Sequence, residues 1–143
     1  AFMAPTEILA EQHYATLSPR LAPLGIEAAL LTASTPRAAQ LRERIERGEV
    51  PVVIGTHALV QPSTRFHKLG LVIIDEQHRF GVGQRDELMR KGDCPDILHL
   101  TATPIPRTLA LTLYGGMDIT LIPDMPPGRL PVKRKQHCRQ PAD

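Results

Sequence analysis

Leu71-Val72-Ile73-Ile74-Asp75-Glu76-Gln77-His78 decides the fold class of this 143-residue chain. Four apolar residues without alternation suit an interior strand of a parallel sheet, covered by helices on both faces. The run stops at two adjacent carboxylates, and in open parallel sheets ligands sit beyond such strand ends. Outward from it, Pro51-Val52-Val53-Ile54 stops at Gly55-Thr56-His57, and Ile97–Thr101 stops at Thr101-Ala102-Thr103. Ala1-Phe2-Met3 reads as the end of a strand that leads into Pro5-Thr6-Glu7. Helical patterns lie between the strands, which is the signature of an α/β layered fold with a mostly parallel sheet and flanking helices. If the strands are parallel, their polar corners face one crevice.

Caps and spacing set the remaining elements. A helix from about Thr6 to Ser18 is expected to carry Ile8, Leu9 and Leu17 loosely on one face and to end at Pro19 and Pro23. Gly25 then turns the chain into a short strand around Glu27–Leu31. Thr35 is the predicted N-cap of the next helix, Pro36 its first residue and Gly48 its C-terminal cap. Ala38, Leu41 and Ile45 form its apolar face. A further helix is expected over about 106–114 and a last short strand over 118–122, followed by Pro123, Pro126, Pro127, Gly128 and Pro131. That proline-rich stretch reads as a linker. The division is therefore a domain over 1–122 and a linker over 123–143.

Composition narrows the classes. Aromatics make up only 3% of the chain against 42% hydrophobic residues, so the core must be aliphatic. The net charge of +2 is too small to announce a nucleic-acid binder. Its distribution is uneven: residues 129–143 hold Arg129, Lys133, Arg134, Lys135 and Arg139 against Asp143, leaving the rest of the chain slightly acidic. No apolar run approaches the roughly 18 residues of a membrane span. Cys94 and Cys138 have no paired ligand spacing and read as free thiols of a cytoplasmic protein.

Asp75 and Glu76 point in different directions from the end of one strand. One can hold a hard cation such as Mg²⁺ while the other orients or deprotonates a nucleophile. The plainer alternative is a solubilised strand end. His13, His67, His99 and His137 have no partner at metal spacing and read as surface or boundary residues. Arg42, Arg44 and Arg47, interleaved with Glu43 and Glu46, read as a solvated helix face.

Four segments carry a resemblance to superfamily-two helicases. Met3-Ala4-Pro5-Thr6-Glu7-Ile8-Leu9-Ala10-Glu11-Gln12-His13 resembles motif Ia, and Gly55-Thr56-His57-Ala58-Leu59 resembles motif Ib. Asp75-Glu76-Gln77-His78-Arg79-Phe80-Gly81 resembles Walker B, and Thr101-Ala102-Thr103-Pro104-Ile105-Pro106-Arg107-Thr108 resembles motif III. With the trailing Pro126-Pro127-Gly128-Arg129, the set is most similar to the RecG-type helicases of branched DNA. Transcription-repair coupling translocases, which usually carry Glu at the position of Gln77, are the next relatives.

The resemblance implies a partial RecA-like (P-loop NTPase) motor domain of a bacterial enzyme that uses ATP and Mg²⁺. Asp75 would hold Mg²⁺ on the phosphates, Glu76 would polarise the attacking water, and Gln77 and His78 would relay the nucleotide state. Thr101 and Thr103 would couple hydrolysis to movement, and Pro5, Thr6, Gly55, Thr56 and His57 would line a DNA strand. The family's Thr-Gly-Ser segment is here Thr32-Ala33-Ser34, and Pro123-Asp124-Met125 replaces its usual acidic Asp-Glu-Leu, which discounts DNA contact at Ala33 and a role for the linker. No G-x-x-x-x-G-K-[ST] loop stands in the chain. The resemblance places that Walker A segment upstream, a wedge domain before it and a second motor domain downstream. The chain alone is then expected not to hydrolyse ATP. Without the Walker A strand, the edge of Ile97–Thr101 is expected to self-associate or to draw in 118–122. The rival readings are a truncated, non-catalytic DNA-binding or interaction module and a self-contained metal hydrolase.

Overall fold

The computed structural model describes residues 1–76, 82–102, 118, 120 and 122. Ala1–Pro104 forms one compact unit and Ile105–Asp143 another. In the first unit the strands are β1 (Phe2–Met3), β2 (Ala28–Leu31), β3 (Val52–Gly55), β4 (Leu71–Asp75) and β5 (Asp96–Leu100). The helices are α1 (Glu7–Leu21), α2 (Ala38–Glu46) and α3 (Val82–Met89). All pairings are parallel, in the order β2-β3-β1-β4-β5. Asp118, Thr120 and Ile122, expected on a strand, belong to none. Among the described residues β5 therefore has one strand neighbour, β4.

Strand alternation divides the apolar side chains between two faces. Met3, Leu31, Val53, Val72 and Ile74 share one core with Ile45 of α2 and Leu88 of α3. Phe2, Ile54 and Ala10 form the other, with Leu9, Tyr14, Leu17, Leu30, Ile73 and Leu100 packed against them. β4 is thus covered on both sides, as its unbroken apolar run requires. Leu31, Ile54 and Ile74 are fully buried, each worth roughly 2 kcal/mol of apolar burial.

Three helix expectations are corrected. Pro19 lies inside α1, which continues to Leu21 before a short 3₁₀ turn, Ala22–Leu24. A proline in the last turn leaves only one carbonyl, that of Ala15, without its amide partner, and the next turn still closes through the Ala22 N–H donating to Ser18 O. Ile8 faces solvent at 67% exposure, while Leu9 and Leu17 pack inward as expected, joined by Ala10 and Tyr14. Thr35 does not cap α2. Its Oγ1 accepts from the Thr32 N–H at 2.8 Å and donates to Leu30 O at 3.2 Å, so the hydroxyl is spent on the turn after β2. The helix begins two residues after Pro36, behind Arg37 at φ 54°.

The far end of α2 agrees with expectation. Gly48 takes φ 77° and donates to Ile45 O, while the Glu49 N–H reaches Arg44 O, both at 3.0 Å. Those two bonds make a Schellman closure. No helix among the described residues is long and apolar enough to cross a membrane.

Candidate nucleotide and DNA-facing site

Parallel pairing brings the carboxyl ends of the five strands to one side of the sheet. In register, Met3 stands beside Gly55 and Ile74, and Asp75 beside Leu100. The corners Ala4-Pro5-Thr6, Thr32–Thr35, Thr56-His57, Asp75-Glu76 and Thr101 follow directly. Gln77, His78 and Thr103 lie outside the described residues.

At the first corner, Thr6 Oγ1 accepts from the Leu9 N–H at 3.3 Å and caps α1. Thr6 is exposed and Pro5 half-buried. Glu7, in the first turn of α1, is well placed against the positive end of the helix dipole. Its carboxylate crosses to the turn after β2. Oε1 accepts from the N–H groups of Ala33 at 3.0 Å and Ser34 at 3.3 Å, and Oε2 from Ser34 Oγ at 3.1 Å. Ala33 does not adopt a positive φ, so its Cβ carries no backbone strain. Alanine fits this turn where a left-handed residue would have required glycine.

At the second corner, Gly55 and Thr56 are buried while His57 is exposed. A Cβ added to Gly55 would lie 2.1 Å from Leu31 O. Thr56 Oγ1 has no hydrogen-bond partner among the described residues. His57 opens a 3₁₀ turn to Leu59, and the following loop is fastened from two sides. Arg42 donates to Thr64 Oγ1 and Gln61 Oε1, each at 3.2 Å. Lys91 Nζ donates to Gln61 O at 2.7 Å and Thr64 O at 2.5 Å, and burial lowers the pKa of its ammonium. Thr64, fully buried, donates to Ala58 O at 2.8 Å. Arg42 is therefore a loop anchor and not part of a solvated face.

The third corner holds the two carboxylates. Asp75 Oδ2 lies 2.7 Å from His13 Nε2, a contact between residues 62 positions apart that the sequence reading missed. Nothing in the spacing of His13 could have signalled it. Among the described residues no hydrogen bond reaches the other Asp75 oxygen. Glu76 follows with φ 49°, in the left-handed region that a residue with a Cβ rarely takes. No three His, Cys, Asp or Glu side chains among the described residues gather as a metal cage. A cation here would hold Asp75 as one ligand and complete its shell with oxygens from outside the described residues. Such sparse carboxylate ligation suits Mg²⁺, which keeps its waters and binds phosphates, so the Asp75 oxygen without a bond among the described residues fits it.

Residues 1–112 match the family described as DEAD/DEAH box helicase. The chain belongs to that family. Within it, the chain is 56% identical over 135 residues to the ATP-dependent DNA helicase RecG of Streptococcus pneumoniae, and 53% over 131 residues to that of Bacillus subtilis. These alignments take in 92% and 90% of the chain but only 20% and 19% of the relatives. The chain thus spans about a fifth of their length. A solved RecG bound to a three-way DNA junction superposes with a TM-score of 0.72 at 47% identity, covering 90% of this chain and 17% of that one. The Lhr helicase of Mycobacterium smegmatis, bound to single-stranded DNA and AMP-PNP, shares the fold with a TM-score of 0.53 at 20% identity, over 69% of this chain and 14% of its own.

Proposed function

We propose that the chain supplies part of the first motor domain of a RecG-type, ATP-dependent DNA helicase that remodels branched DNA such as stalled forks and Holliday junctions. The supporting observation is Asp75-Glu76 at the carboxyl end of β4, beside the motif Ia corner, in a helicase-family chain about half identical to RecG proteins. Asp75 would hold Mg²⁺, which when bound offsets phosphate charge. Glu76 would activate water, and Gln77 and His78 would relay the nucleotide state toward Thr101 and Thr103. Pro5, Thr6 and His57, with the backbone around Gly55-Thr56, would meet DNA through phosphates, fixing position without reading sequence. The linker assignment for 123–143, a bacterial cytoplasmic setting and pairing of a second copy along the outer side of β5 belong to the same proposal. The 143-residue chain contains no G-x-x-x-x-G-K-[ST] loop and should not turn over ATP alone.

The test is made in the intact helicase. Asp75→Asn is expected to abolish DNA-stimulated ATP hydrolysis, and Glu76→Gln to block it while nucleotide binding persists. Near-normal hydrolysis by either variant overturns the assigned roles.

A further inference from the structure

The carboxylate assigned to Mg²⁺ already has one oxygen engaged. An ionised carboxylate only accepts hydrogen bonds, so His13 Nε2 carries the proton and donates to Asp75 Oδ2 across 2.7 Å. The imidazole is itself held. The Phe2 ring stands 4.4 Å from it, centroid to centroid, tilted by 41°. Phe2 is a buried residue of β1, the strand paired directly with β4. His13 also follows fully buried Ala10 by three residues on α1, so its backbone is seated on the core. The His13 and Asp75 side chains are only 29% and 18% exposed.

We infer that His13 is a positioning residue for Asp75, holding Oδ2 so that the second oxygen stays turned toward the nucleotide-bound cation. This rests on the reading of Asp75 as the residue that holds Mg²⁺. A carboxylate left alone turns easily about its last torsion. A cation with octahedral demands and few protein ligands depends on the groups that orient those few, and their removal typically costs ten- to a hundredfold in metal affinity. The same bond joins the body of α1, whose N-terminal corner is assigned to DNA, to the carboxylate assigned to the metal.

The experiment compares Mn²⁺ binding to the ADP-loaded intact helicase, read by the electron paramagnetic resonance signal of free Mn²⁺, in the wild type, His13→Ala, His13→Gln and Asp75→Asn. His13→Ala is expected to weaken Mn²⁺ binding about tenfold. ADP binding in excess chelator should be unchanged. In His13→Gln the amide N–H reaches the place of Nε2–H and should restore most of the affinity. Should His13→Ala fail to fold, His13→Asn, whose amide ends short of that place, serves as the disrupted variant. Wild-type Mn²⁺ affinity in the disrupted variant, with Asp75→Asn impaired, overturns the role of His13 and leaves the metal assignment standing. Equal weakening in His13→Gln marks a packing role and also overturns it. Undiminished Mn²⁺ binding by Asp75→Asn removes the metal assignment, and the inference with it.

Discussion

Gly55 ends β3 where a side chain has no room. The obstacle to a Cβ is the Leu31 carbonyl of the neighbouring strand, 2.1 Å away, and backbone cannot rotate aside as a side chain can. Gly55→Ala should therefore cost about 3 kcal/mol or more by chemical denaturation. It should also disturb the Thr56-His57 corner that follows. A glycine before Thr-His was legible in the sequence as part of a motif, but the reason for it lay in a strand that ends 24 residues earlier. His13 was illegible for the same reason. Its partner is fixed by the pairing of β1 with β4 and by the course of α1, and neither leaves a spacing signal along the chain.

Elements were more legible than contacts. Each strand announced itself as an apolar run closed by polar residues, and the unalternating Leu71–Ile74 correctly marked a strand with helices on both faces. Helices were read less well: α3 was not read from the sequence at all, and two helix ends were misplaced. Pro19 and Thr35 carry strong local preferences, and in both places the surrounding structure decided the outcome: a last turn that tolerates proline, and a turn that claims the threonine hydroxyl. The loop after the 3₁₀ turn at His57–Leu59 shows how a corner is kept rigid without regular structure. Thr64→Val keeps the volume but removes the donor to Ala58 O and the acceptor for Arg42 Nε. A loss of about 2 kcal/mol is expected in urea unfolding, because the buried Ala58 carbonyl and the half-buried Arg42 guanidinium lose their bonds. A variant within 0.5 kcal/mol of the wild type, about the scatter of an ordinary surface change, would show that this loop is not held by the hydroxyl.

At the scale of the molecule, charge and topology point to different strengths of interaction. The sheet gathers its polar corners on one side, but five basic residues of the chain stand in 129–143, with only Asp143 against them, and the rest is slightly acidic. The isolated chain should therefore bind fork DNA weakly, with a Kd above about 1 μM near physiological salt and a steep loss as salt rises. Fluorescence anisotropy across a salt series measures this, and sub-micromolar binding would favour the stand-alone DNA-binding module.

Glu76 sits at φ 49°, a conformation that costs a residue with a Cβ about 1 kcal/mol or more and a glycine almost nothing. A thermostabilisation campaign scored by melting temperature alone would thus find its reward at the position assigned to water activation. Glycine there relaxes the backbone and removes the carboxylate in the same step. Engineering for hardiness and engineering for turnover part company at this residue, and a library meant to preserve the motor should hold it fixed.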